Sequence, residues 1–273
     1  MIARMIANLG ARTTRRVDEF GDFCRFSGQS LVFVLPTLLR WRNLRRLTPQ
    51  FYDVATLSIP VVMITGLFVG MVLAVQAVAQ FKAVGLETKL GSVVNLSVLR
   101  ELGPVLAGVM LAGRVGGGMT AELGTMRVTE QIDALRSMGA DPMKVLVLPR
   151  LLACTLMLPI LVLYASFMGI LGGAAISIYV YDIKPIDFWQ GSTGAIRYFD
   201  IFYGPIKAVF FGAALSLVSC YKGFRCAPGA AGVGRACTEA FVDSCMAVLA
   251  LDFFLGVFLN TVETAILGVR MVL

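Results

Sequence analysis

Leu151–Tyr181 reads LLACTLMLPILVLYASFMGILGGAAISIYVY, 31 residues without a charged side chain. About 20 apolar residues already carry a helix across a hydrocarbon layer about 30 Å thick. Hydrocarbon offers a backbone amide no partner, so the segment must satisfy its own hydrogen bonds, and the sequence predicts a transmembrane helix. Upstream, Val54–Phe81 is a second uncharged run, of 28 residues. The rest of the chain agrees: 58% of its 273 residues are hydrophobic and 15% charged, with a mean hydropathy of +0.80. A soluble core of this length needs far less apolar material.

Three further spans are expected. Residues 93–119 hold an uncharged run of 12 between Glu101 and Arg114, so a helix here keeps Arg100 and Glu101 near one face of the membrane. Residues 201–221 carry Lys207, expected to snorkel to an interface. Residues 238–268 contain Asp252 and Glu263. The predicted fold class is an all-α integral membrane protein. An N-terminal cytoplasmic or interfacial region, 1–53, precedes a five-span domain, 54–273.

Basic residues set the orientation. With the N-terminus inside, inner segments hold 16 Lys and Arg, nine of them in residues 1–53, whereas the outer loops hold Lys82, Lys89, Lys184 and Arg197. The formal net charge of +7 is mainly this topological signal; an attraction to anionic headgroups explains it better than nucleic acid does. The N-terminal region shows no cleavable secretory signal. Phe20, Phe23, Cys24, Leu31, Val34, Leu35 and Leu38 recur at helical spacing, giving either a helix lying in the interface or, over 26–39, one tilted against the spans.

Helix starts are expected at Thr48-Pro49 and Asp141-Pro142, each a capping residue followed by proline. Pro60, Pro104, Pro159 and Pro205 lie inside spans and predict mild kinks. Gly66, Gly70, Gly169 and Gly172 offer small faces for close packing within one chain or across a dimer. The run Gly116–Gly118 reads as a flexible or closely packed helix end.

Several chemistries are excluded. Without any His there is no Ser/His/Asp nucleophile, no His metal ligand and no His proton relay. The six Cys form no CxxC and read as reduced apolar residues. No GxxxxGK[ST] occurs, so the chain has no Walker nucleotide site of its own. No enzyme activity, metal or cofactor is expected.

Between the second and third spans comes TEQIDALRSMGADP, Thr129–Pro142, a charged segment in a greasy chain. Thr129 is read as its cap, Glu130 as a first-turn acid favoured by the helix dipole, and Gly139 as its stop. Asp133 and Arg136 stand one turn apart and can pair; Ile132, Leu135 and Met138 form an apolar stripe. Such a short helix either meets another protein through its polar side or floats on the bilayer. Ionisable groups at membrane depth draw functional attention by default. Arg100, Glu101 and Asp252 are expected to serve either the lining of a lipid cavity or internal ion pairs. Arg114 and Glu122 are expected to anchor the short helix, and Glu239 and Asp243 to be solvated or paired with Arg235.

The block LRELGPVLAGVMLAGRVGGGMTAELGTMRVTEQIDALRSMGADPMKVLVLPRLLA, residues 99–153, resembles the signature region of the MlaE/YrbE-type permeases. These are the membrane subunits of MCE-associated ABC transporters that move lipids. ALDFFL, residues 250–255, is similar to that family's last span. The resemblance implies a homodimeric inner-membrane permease, N-terminus cytoplasmic, moving phospholipid or a related lipid. It implies an ABC ATPase subunit that binds ATP, an MCE-domain lipid-binding protein on the outer side, a second copy of the chain, membrane lipid as partner, and no nucleic acid. It makes residues 127–138 the cytoplasmic coupling helix, with Glu130, Gln131, Asp133, Ala134, Leu135 and Arg136 meeting the ATPase. Two other readings remain: an ion-coupled secondary transporter using Glu101 and Asp252, and a non-transporting membrane scaffold.

Overall fold

The computed structural model describes residue 14, residues 17–33 and residues 44–267; among these no strand occurs. Five helices are long and apolar enough to cross a membrane: Thr48–Val84, Leu90–Val128, Met143–Tyr179, Tyr198–Phe224 and Ala230–Ile266. The sequence places all five, but the second and fifth are longer than expected, at 39 and 37 residues. Backbone hydrogen bonds continue past the hydrocarbon layer, since a helix can end wherever water or headgroups take over its last carbonyls. The spans alternate in direction. The helix over 17–33 and residues 129–142 and 225–229 thus share one end of the bundle, called here the N-terminal end, and residues 85–89 and 180–197 share the far end.

The first and third spans are joined by the glycines singled out in the sequence. A side-chain carbon on Gly66 would strike the backbone of Ala165, one on Gly70 that of Gly169, and one on Gly172 that of Leu67. These small faces therefore pack within the chain, and larger residues there would force the helices apart. Beside this seam, Leu111, Leu158, Leu161, Phe211, Leu215 and Val248 form a core drawn from the second to fifth spans.

Local breaks depart from expectation. A helix runs Leu44–Phe51 with Pro49 inside it rather than starting at Thr48. The amide lost at the proline is followed at once by a wider π-turn, Tyr52–Thr56. Asp141 does cap the third span, its Oδ1 accepting from the Met143 amide at 3.0 Å. The run Gly116–Gly118 is continuous helix, with Gly116 close against Ser219 and Gly117 and Gly118 facing open space.

The helix over 17–33 packs on the end of the fourth span. Phe23 meets Tyr221 at 5.3 Å between ring centroids and Phe26 meets Tyr221 at 5.6 Å, both edge-on. Tyr221 donates to the Glu19 carbonyl at 3.0 Å, while Val17, Phe20, Leu31 and Val32 stay exposed. Val34, Leu35 and Leu38 lie outside the described residues. At the far end an unexpected helix, Pro185–Ala195, packs on the first turns of the second span. Phe188 is fully buried there with Leu90 and Val94, and Asn95 donates to Ser192 Oγ at 2.7 Å.

Candidate functional site

Two places gather the residues singled out above, one at each end of the bundle. At the N-terminal end the short helix is Gln131–Ser137. The second span runs straight through Val128, and Thr129 terminates it, its hydroxyl donating back to the Thr125 carbonyl at 2.9 Å. Thr129 is therefore not the cap. Glu130 occupies that position in the left-handed region, φ 61°, and the chain reverses there. Gly139, φ 75°, stops the helix as expected: its amide donates to Arg136 O and the Ala140 amide to Leu135 O, both at 3.0 Å. This paired stop satisfies the last carbonyls.

Ile132, fully buried, enters a small core with Leu123, Leu146, Val147 and Cys220 from the second, third and fourth spans. Leu135 is half-buried against the same group, but Met138 follows the helix end and is 72% exposed, so the stripe has two members. Glu130, Gln131, Asp133, Ala134 and Arg136 are exposed on the other side. Asp133 is held by Arg127 at 2.7 Å and by Arg136 at 3.1 Å. Exposed pairs of this kind contribute little stability, about 0–1 kcal/mol, so they mainly fix the shape of the polar face. At the base, Arg150 in the third span meets Glu122 in the second at 2.8 Å and donates to Leu146 O at 2.7 Å. Glu122 thus clamps the two spans that carry the short helix. Arg114 does not reach that helix; it donates to Ser58 Oγ in the first span.

The second place lies toward the far end. Arg100 and Glu101 occupy a π-turn, Val98–Leu102. Pro104 has no amide to offer the carbonyl four residues back, and Lys207 Nζ donates to that Arg100 carbonyl at 3.3 Å. Lys207 does not snorkel. Its side chain is fully buried and held by Glu101 at 2.6 Å and Asp252 at 2.8 Å. One layer further out, Arg100 bridges Asp200 and Glu263, the latter through both oxygens at 2.8 and 2.7 Å. Tyr203 stands between the layers with the Arg100 guanidinium 4.9 Å and the Lys207 ammonium 5.0 Å from its ring centre. Its hydroxyl donates to Gly256 O at 3.0 Å.

Sequence reasoning picked Arg100, Glu101 and Asp252 and missed Asp200, Lys207 and Tyr203 as their partners. The sequence shows Glu263 only as a charge in the last span. Asp200 falls just ahead of the predicted fourth span and looks like a loop acid. In the structure it is the third residue of that helix, accepting from the Arg197 amide at 2.7 Å. Arg197 has no side-chain acceptor, so only the acid's half of a capping box is present and no motif in the sequence marks it. Glu239 and Asp243 pair with Lys222, at 3.1 and 2.8 Å, instead of with Arg235. One turn of the fifth helix separates the acids, and Lys222 from the neighbouring span reaches both.

The sequence profile of the family described as Permease MlaE matches residues 47–258. A probable ABC transporter permease protein of Rickettsia bellii is 37% identical over 255 residues, 93% of this chain and 97% of the relative. Another of that description, from Synechocystis, is 41% identical over 242 residues, 88% and 91% of the two chains. The intermembrane phospholipid transport system permease protein MlaE of Haemophilus influenzae is 33% identical over 260 residues, 93% and 97%. Matched over most of its length by the family profile and nearly end to end by these relatives, this five-span membrane protein belongs to the MlaE permease family.

Proposed function

We propose that this chain is the membrane subunit of an ABC transporter that moves phospholipid or a related lipid, driven by a separate ATPase subunit. The observation that carries the reading is the helix Gln131–Ser137. It is seated through Ile132 on three spans and offers a polar face outward. A push on that face is transmitted directly, because a packed core is stiff and the Glu122–Arg150 clamp holds the bases of the second and third spans together. The basic bias of the sequence supports a cytoplasmic N-terminal end, where an ATPase is available. The sequence has no Walker motif, so hydrolysis falls to another polypeptide. The Haemophilus relative is by name part of a phospholipid transport system, and this supports the same cargo class here.

The same reading places the chain in an inner membrane, with a lipid-binding MCE-domain partner beyond the far end and a second copy alongside. Support for the second copy comes from the fifth span, whose apolar window is only 17% buried within the chain against 61% for the third. Phe253, Phe254, Val257 and Phe258 stand exposed along it.

The test is the double variant Glu130→Lys, Asp133→Lys in the assembled complex. It is expected to insert and stay folded while losing ATP-driven lipid transfer. Full transfer by the folded double variant removes the mechanism. A second reading, ion-coupled transport through Glu101 and Asp252, draws on the charged layers at the far end. It requires lipid transfer in liposomes on an ion gradient with no ATPase present.

A further inference from the structure

Among the described residues, four π-turns interrupt the spans: Tyr52–Thr56, Val98–Leu102, Ala112–Gly116 and Met143–Val147. Three of them share a cause. Each encloses the carbonyl that a proline four residues on cannot serve: Thr56 before Pro60, Arg100 before Pro104 and Val145 before Pro149. A carbonyl denied its α-helical amide turns to the next one along, which widens the turn, and the proline ring keeps it wide. The turn Ala112–Gly116 has no such cause, because the amides four residues on belong to Gly116, Gly117, Gly118, Met119 and Thr120. Nothing covalent holds it open.

Its hydrogen bonding is correspondingly divided. The Gly117 amide faces the carbonyls of Ala112, Gly113 and Arg114 at once, five, four and three residues back, the partners of a π-, an α- and a 3₁₀-turn. Glycine makes the exchange among them cheap, since it carries no side chain to repack and restrains the backbone least. Around the turn the surroundings are uneven. A side-chain carbon on Gly116 would stand 2.8 Å from Ser219 Oγ, whereas Gly117 and Gly118 meet nothing within 4 Å. The Thr120 hydroxyl ties that contact by donating to Gly116 O at 2.9 Å and to Ser219 O at 3.1 Å. The Ser219 hydroxyl itself is buried without a partner, an unused donor beside a turn whose carbonyls change hands. Arg114, within the turn, donates to Ser58 of the first span.

We infer that Ala112–Gly116 is a hinge in the second span, with its pivot where Gly116 meets Ser219 and its latch the hydrogen bond from Arg114 to Ser58. Toward the far end the span is fixed by the proline-made turn at Pro104 and by Glu101 on Lys207. Toward the N-terminal end, Gly117–Val128 leads into the helix Gln131–Ser137. A displacement of that helix bends the span here rather than at the charged layers; the latch parts, and the second span swings away from the first. The hinge belongs to the chain alone and stands whether or not an ATPase supplies the displacement.

The test is NMR relaxation dispersion on the full-length protein in lipid nanodiscs, labelled with ¹⁵N-glycine and free of partners, which reads exchange on the microsecond-to-millisecond scale. Dispersion is expected at Gly113, Gly116 and Gly117 and not at Gly108 or Gly124, which lie in regular helix on either side. Gly118→Pro gives this turn the proline that the others have, at a position with open space around it, and should abolish the dispersion at Gly113 and Gly116 in a folded protein. Ser58→Ala removes the latch without touching the second span's backbone and should raise the population of the bent state at least about fivefold. It also keeps the test decisive if Gly118→Pro lowers the folded yield. Flat profiles at Gly113 and Gly116 in the native protein, equal dispersion at Gly108, or a bent population unchanged by Ser58→Ala each overturn the inference and leave the transport reading intact. Dispersion that persists in folded Gly118→Pro refutes it too.

Discussion

Lys207→Met places a side chain of similar length where the cation shared by Glu101 and Asp252 stands. Lys207 is fully buried, and its ammonium is the shared partner of Glu101 and Asp252 and a donor to the Arg100 carbonyl. Removing one member of a buried ion pair typically costs about 3–5 kcal/mol, because the remaining charge keeps its desolvation without its attraction. The two carboxylates are not equally trapped: the Glu101 side chain is 47% exposed and that of Asp252 19%. Glu101, the less enclosed of the two, is free to turn to another polar partner, so the lower end applies, about 3 kcal/mol, or roughly a hundredfold in the folding equilibrium. The assay is reversible unfolding in mixed micelles, read by helical circular dichroism. Adding Glu101→Gln and Asp252→Asn to Lys207→Met should recover most of the loss, since no charge is then left unpaired, whereas either neutralisation alone should recover part. A single variant within about 0.5 kcal/mol of the native protein, below the cost of a typical lost hydrogen bond, refutes the claim that this layer holds the second, fourth and fifth spans together.

Glu130→Gly relieves a left-handed backbone that costs a non-glycine residue about 1 kcal/mol, so the folded protein should gain about that much while ATP-driven transfer falls with loss of the acid; an unchanged midpoint of unfolding contradicts the strain. Gly139→Ala places a methyl at φ 75° and should lower stability by about 1 kcal/mol, read in the same unfolding assay. Gly70→Val drives a branched side chain into the Gly169 backbone and should abolish the close approach of the first and third spans, seen as loss of folded protein in membranes. Arg150→Met breaks the clamp to Glu122 at the base of the short helix; transfer should drop more than ATPase binding does, and equal losses would make the clamp merely structural.

The spans were legible because membrane helices announce themselves by length without charge, and Leu151–Tyr181 alone decided the class. The stop at Gly139 and the Asp133–Arg136 pair were legible because both are local, set by one turn of chain. What escaped was everything settled by neighbours far along the sequence. Lys207 and Glu101 are 106 residues apart, and Arg100 and Glu263 are 163 apart, so no spacing rule joins them. Lys207 was expected to reach water because a lone Lys in a span does so; two acids from other helices offered it a nearer partner. The helix Pro185–Ala195 escaped for a similar reason. Its buried Phe188 gains meaning only against Leu90 and Val94, about a hundred residues upstream.

ATP-driven transport by this chain requires the helix Gln131–Ser137 to be the place where an outside motor pushes. The direct measurement installs a photocrosslinking amino acid at Met138, which is 72% exposed beside that helix, and irradiates cells producing the native complex. The predicted product is an adduct with a nucleotide-hydrolysing polypeptide on the cytoplasmic side. Adducts with lipid alone, or with proteins beyond the other face of the membrane, would contradict it.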